Sequence, residues 1–160
     1  MAVYFVDSSG IVKRYVSETG TAWIKRICDS GAGNDVYTAH ATGAEAAAAI
    51  MRRVRRGEIS TTDATVAIAG LQSYLRSGYP PVYVTDSLVR LAIELVQRHN
   101  LRDCDAVQLA SALQVWAECA ALGTPAPIFV STDNNLNAAA IAEGRPAMPG
   151  WTMPVDDLVE

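Results

Sequence analysis

Two short apolar runs in this chain stop at a carboxylate and pass straight into residues that start helices. Residues 2–6 (AVYFV) lead to Asp7-Ser8-Ser9, and residues 128–130 (IFV) lead to Ser131-Thr132-Asp133. A run that is apolar on both faces has no side to show to water, so it belongs inside a sheet covered above and below. In open sheets of that kind, ligands bind in the crevice outside the carboxyl ends of the strands. Asp7 and Asp133 fall there.

The rest of the chain repeats the strand-to-helix rhythm. Asp7, Ser8 and Ser9 are all good N-caps for a helix running to Val16, and an amphipathic segment over residues 21–30 turns Trp23, Ile24 and Ile27 inward. After a turn at residues 31–34, residues 36–39 read as a strand and residues 41–56 as an Ala-rich helix ended by Gly57. Ser60 or Thr61 caps a helix to Arg76. Gly78, Pro80 and Pro81 mark a turn before the brief apolar residues 82–84. Asp86 or Ser87 is expected to cap a helix to His99, and Asp103 another to Leu122. A last helix runs to about Gly144, and a tail with Pro146, Pro149 and Pro154 is placed to add an edge strand. This alternation predicts an α/β fold, a three-layer α/β/α sandwich around a mostly parallel central sheet.

With 160 residues and no internal repeat or linker, the expectation is one domain over residues 1–160. Asp7 interrupts the opening apolar run too early for a signal peptide, and Glu45 and Glu118 break the Ala-rich stretches. No membrane span is expected. Cys28, Cys104 and Cys119 are scattered without paired spacing, as ordinary reduced thiols of a cytoplasmic protein would be. The net charge of −4 excludes a protein that holds nucleic acid by bulk positive charge. It leaves open an enzyme whose active site is itself the acidic part.

Two further acids join the pair at the strand ends. Glu45, in TGAEAAAAI, would alone be a solvated helix former, but Ala41, Ala48 and Ala49 leave it on a smooth apolar face. Asp105, in LRDCDAVQLASAL, sits in a first helical turn, where the dipole favours an anion. Ala106, Leu109, Ala110, Leu113 and Trp116 of the same helix point inward. Asp156 and Asp157 read as a solvated tail, and His40 and His99 as lone histidines without ligand spacing. Like charges ~5 Å apart repel by roughly 3 kcal/mol per pair at an effective dielectric of about 20. A gathered quartet therefore calls for a cation or for protonation. All-oxygen donors suit Mg²⁺ or Mn²⁺ rather than zinc.

Two acidic α/β families fail on their chemistry. A receiver domain needs an acidic pair after the first strand and a late lysine, whereas the only lysines are Lys13 and Lys25. A haloacid-dehalogenase-type phosphatase needs Asp-x-Asp where this chain has Asp7-Ser8-Ser9. The chain instead resembles the PIN domain nucleases, and among them the VapC-type toxins of bacterial toxin–antitoxin pairs. FVDSSGIVKRY, Glu45, LRDCDAVQLASAL and FVSTDNNLNAAA carry the likeness, which extends to about Gly144. The resemblance implies that Asp7, Glu45, Asp105 and Asp133 are catalytic residues holding Mg²⁺ or Mn²⁺, with Ser9 ordering the site beside Asp7. It also implies metal-dependent endoribonuclease activity on RNA such as tRNA or rRNA, a homodimer, and a small cognate antitoxin whose C-terminal segment covers the cleft. A catalytically silent PIN-fold binding protein, or a PIN nuclease of RNA maturation or DNA cleavage, stands as the alternative.

Helical spacing adds one expectation of its own. At ~100° per residue, Arg52 and Arg56 fall within about 20° of the Glu45 direction, while Arg53 and Arg55 point roughly 80° to either side. Arg52 and Arg56 are therefore expected to bind RNA phosphates along the approach to the acids.

Overall fold

Strand β1 (Val3–Val6) is one of the two inner strands of a four-stranded sheet whose order is β2-β1-β3-β4, with every neighbouring pair parallel. The structure, a computed structural model, describes residues 2–78 and 81–148. Helices α1 (Ser8–Tyr15) and α2 (Thr21–Ile27) carry the chain from β1 to β2 (Asp35–Tyr37) on one side. Helices α3 (Thr42–Arg55), α4 (Thr61–Ser77), α5 (Asp86–His99) and α6 (Asp103–Leu122) then lead to β3 (Ile128–Val130) on the other side of β1. Helix α7 (Asn134–Ala142) connects β3 to the edge strand β4 (Ala147–Met148).

The two-residue period of the strands divides the interior into two cores. Val3 and Phe5 of β1 join Phe129 of β3 under α5, α6 and α7, where Leu95, Leu109, Trp116 and Leu136 are buried. The ring of Phe5 stacks on that of Phe129 at 5.8 Å between centroids. Val6, Val36 and Val130 face the opposite way, onto Ile11, Ile24, Ile50 and Leu71 of α1 to α4. This is the three-layer sandwich the alternation predicts, with a sheet that is parallel throughout.

Several boundaries differ from the sequence reading. Strand β2 starts at Asp35 and ends at Tyr37, and Ala39 makes only an isolated parallel bridge to Val82. Thr85, not Asp86 or Ser87, caps α5, its hydroxyl accepting from Leu88 N. Helix α6 begins one residue earlier than expected, so Arg102 holds the N-cap position and Asp103 lies in the first turn without capping it. His99 is not a lone histidine: it and Arg98 both meet Glu143, which ties the end of α5 to the end of α7. His40 is exposed, its ring 4.9 Å from that of Tyr83. Pro80, Pro149, Pro154, Asp156 and Asp157 lie outside the described residues. Among the described residues, no helix is long and apolar enough to cross a membrane.

Candidate active site

The connection from β1 runs first to β2 on one side and later to β3 on the other, so strand order reverses between β1 and β3. Such a switch point opens a crevice because the flanking segments leave the sheet in opposite directions. Val6 pairs with Val130 in register, and Asp7 N donates to Val130 O at 3.0 Å, so both chains leave the sheet at one level. A cleft of about 790 Å³ lies there. Asp7, Ser9, Glu45, Arg52, Asp105 and Asp133 all line it, together with Arg102 and Asp103.

Asp7 caps α1 and is buried, 3% exposed. Its Oδ1 accepts from Ser9 Oγ at 2.7 Å and from Gly10 N at 2.8 Å, and its Oδ2 accepts from Ser131 Oγ at 2.7 Å. Of about four lone pairs on a carboxylate, three are used and one on Oδ2 is left. Burial pushes the carboxyl up to about 6, with a smaller upward push from Glu45, while the three donors pull it down. Gly10 makes this first turn possible, since a Cβ there would sit 2.7 Å from Val6 Cγ1.

Ser131, just past β3, couples the two strand ends. While donating to Asp7, its oxygen accepts from Asp133 N at 3.0 Å. Asp133 caps α7 with Oδ1, which accepts from Asn135 N and Leu136 N, so Oδ2 alone turns to the cleft. For Asp7 and Asp133 the structural role and a place in the site coincide.

Glu45 and Asp105 come from the crossing helices α3 and α6. Gln108, one turn beyond Asp105, is 1% exposed and donates through Nε2 to Glu45 Oε2 at 3.0 Å and to Thr42 Oγ1 at 3.1 Å. Asp105 Oδ2 accepts from Arg102 Nε at 2.8 Å, and the other arm of that guanidinium reaches Asp133 Oδ2 at 3.3 Å. Four acids from four segments thus share one cleft, and each is held by named donors.

Arg56 is not brought into the cleft. Its angle about α3 matches Glu45, but eleven residues at ~1.5 Å rise put it roughly 16 Å further along the axis. There it follows the last turn and pairs with Glu58 at 3.8 Å. Arg53 turns away to Glu18 at 2.6 Å.

The donor set fits a hard divalent cation in kind. It is carboxylate and hydroxyl oxygen, and the one thiol present, Cys104, is pushed up by burial and the surrounding acids, away from thiolate. A cationic group already stands between two of the acids, the guanidinium of Arg102. Among the described residues, no three His, Cys, Asp or Glu side chains are gathered, as they stand, closely enough to hold an ion.

No family model matches the chain. Two curated relatives from Mycobacterium tuberculosis, Ribonuclease VapC45 and Ribonuclease VapC49, are each 27% identical to it over 157 residues, covering 96% of this chain and 100% of the relative. The solved structure of VapC20 from the same organism, described as a sarcin–ricin loop cleaving toxin, superposes with a TM-score of 0.57 at 22% identity. It covers 91% of this chain and 100% of that one. Over nearly its whole length the chain is thus similar to ribonucleases of the VapC type, and it shares the fold of a solved VapC toxin. PAE2754 from Pyrobaculum aerophilum shares the fold at a TM-score of 0.57 and 18% identity, over 91% of this chain and 89% of that one.

Within this VapC-like fold, sequence reasoning passed over Gln108, Ser131 and Arg102. Gln108 carries a usable signal, a long polar side chain on the buried, mostly apolar face of its helix. Ser131 carries none, because it acts on Asp7, 124 residues away in the chain; Arg102 stands at i,i+3 spacing to Asp105, but nothing local links it to Asp133, 31 residues away.

Proposed function

We propose that this chain is a Mg²⁺- or Mn²⁺-dependent endoribonuclease that hydrolyses RNA phosphodiester bonds, the toxin of a toxin–antitoxin pair, built as a single nuclease domain. The observation that carries this reading is the meeting of Asp7, Glu45, Asp105 and Asp133, from four segments, in one cleft at the switch point of the sheet. The relatives' names as ribonucleases support the reaction class.

In this reading Asp7 through its open Oδ2 lone pair, Asp105, Asp133 through Oδ2, and Glu45 hold the ion, directly or through water. The ion would polarise the scissile phosphate and lower the pKa of the attacking water. Ser9 and Ser131 fix the rotamer of Asp7, and Gln108 fixes that of Glu45. Arg52 offers a fork-shaped donor to a phosphate beside the cleaved bond, and Arg56 extends that track outward along α3. The exposed Val89, Ile93 and Val96 follow helical spacing on α5 and support a homodimer. A cleft rich in acids suits the basic segment of an antitoxin.

Cleavage of tRNA and rRNA fragments by purified protein, with Mg²⁺, with Mn²⁺ and with chelator, tests the proposal. Asp105→Asn should abolish cleavage while circular dichroism stays unchanged. Metal-independent cleavage, or a fully active Asp105→Asn, would overturn it. Cleavage confined to single-stranded DNA would favour the alternative nuclease reading.

A further inference from the structure

Arg102 sits where an arginine is poorly suited to the helix it opens. It holds the N-cap position of α6 with extended backbone, and its side chain makes no capping bond. The positive end of the helix dipole disfavours a cation there. Its compensation is a pair of acids, one in the first turn of α6 itself and one capping α7: Nε meets Asp105 Oδ2 at 2.8 Å and a terminal nitrogen meets Asp133 Oδ2 at 3.3 Å. Asp133 has no other oxygen to give, since Oδ1 is committed to the cap of α7. The rest of the Arg102 side chain is unpacked, with 76% of its surface exposed.

We propose that Arg102 is an internal counter-cation, which bridges Asp105 and Asp133 in the metal-free site and is exchanged for the divalent ion. This rests on the reading of the cleft as a metal centre. The guanidinium and an ion compete for the same two oxygens, and two cations side by side on them would repel. Being exposed, Arg102 swings out without loss of buried surface. The exchange weakens metal binding, and in return the acids stay paired and ordered between ions.

Calorimetric titration of Mn²⁺ into metal-free protein tests the exchange. Arg102→Gln should bind Mn²⁺ roughly three- to tenfold more tightly than wild type, the range expected for losing two exposed ion pairs that oppose binding. Arg102→Lys, which keeps the charge but not the fork, should fall between them. Arg55→Ala removes one positive charge outside the cleft lining and should stay within about twofold of wild type. In chelator, Arg102→Gln should melt below wild type, and Mn²⁺ should raise its melting temperature by more. If Arg102→Gln fails to fold, Arg102→Lys carries the comparison. Equal or weaker Mn²⁺ binding by the Arg102 variants overturns the exchange and leaves the metal centre standing. If wild type and variants alike bind no Mn²⁺ or Mg²⁺, both fall together.

Discussion

Asp7→Asn should stabilise the metal-free protein at alkaline pH and lose that advantage in acid. The wild-type carboxyl is buried and raised from 3.8 to about 6. Roughly two pKa units correspond to about 3 kcal/mol by which the folded state disfavours the ionised form. The amide keeps the volume and still accepts from Ser9 and Gly10, but it turns an N–H toward Ser131 Oγ, which now donates to the carboxylate. That mismatch costs about 1 kcal/mol, leaving a net gain of about 2 kcal/mol at pH 8. For a chain of this size it raises the melting temperature by roughly 4–8 °C.

The sign follows from the direction of the shift. A raised folded-state pKa favours the protonated fold, so the contribution is fully present below about pH 4 and is lost as pH rises through about 6. Wild type and variant should therefore converge toward pH 4 and separate toward pH 8. Melting curves in chelator at four or five pH values measure this. A difference that stays constant across that range, or a variant less stable at pH 8, would refute burial as the cause. Asp105→Asn is the contrast, because it removes the nearer partner of Arg102. It should lower metal-free stability by less than ~1 kcal/mol.

Two smaller tests address the site's surroundings. Gln108→Leu should cut kcat about tenfold with KM nearly unchanged, because it frees Glu45 to wander without touching the RNA-binding rim; an unchanged kcat would remove Gln108 from the positioning role. Arg52→Ala should lower the salt dependence of RNA binding by about one phosphate contact, and Arg56→Ala by less, measured with uncleaved RNA in chelator. Equal losses would mean that bulk charge, not the cleft face of α3, governs binding.

What the sequence disclosed was local. Residues 2–6 and 128–130 lack a solvent face, and the cap-forming acid follows within three residues of each, so strand, turn and helix start are encoded within ten residues. The face of α3 carrying Glu45 was equally legible, since Ala48 and Ala49 mark it as smooth. The reading slipped where neighbours compete for one task. Thr85 and Asp86 can both cap α5, and Arg102 and Asp103 both stand at the start of α6. Which one takes the N-cap depends on the direction in which the chain arrives, and that is a tertiary property. Arg56 lies outside the cleft for another reason, because helical angle repeats each turn while axial distance only grows.

The same distinction explains how the acids coexist. From the sequence, four gathered carboxylates call for an ion, because Coulomb repulsion is all the sequence can weigh. In the fold each acid has a partner, some local and some supplied from afar. Asp7 is buried under three donors and its proton affinity is raised chiefly by that burial, with Glu45 a lesser cause. Glu45 rests on Gln108, 63 residues away in the chain, and Asp133 on Arg102, 31 residues away. Repulsion is thus met acid by acid, with hydrogen bonds and one guanidinium, before any ion arrives. These partners differ in how easily they yield. Ser9, Ser131 and Gln108 pack into the walls and can stay in place, whereas Arg102 alone is mostly exposed and free to leave. The acids are therefore held by donors set into the fold and by one exposed guanidinium.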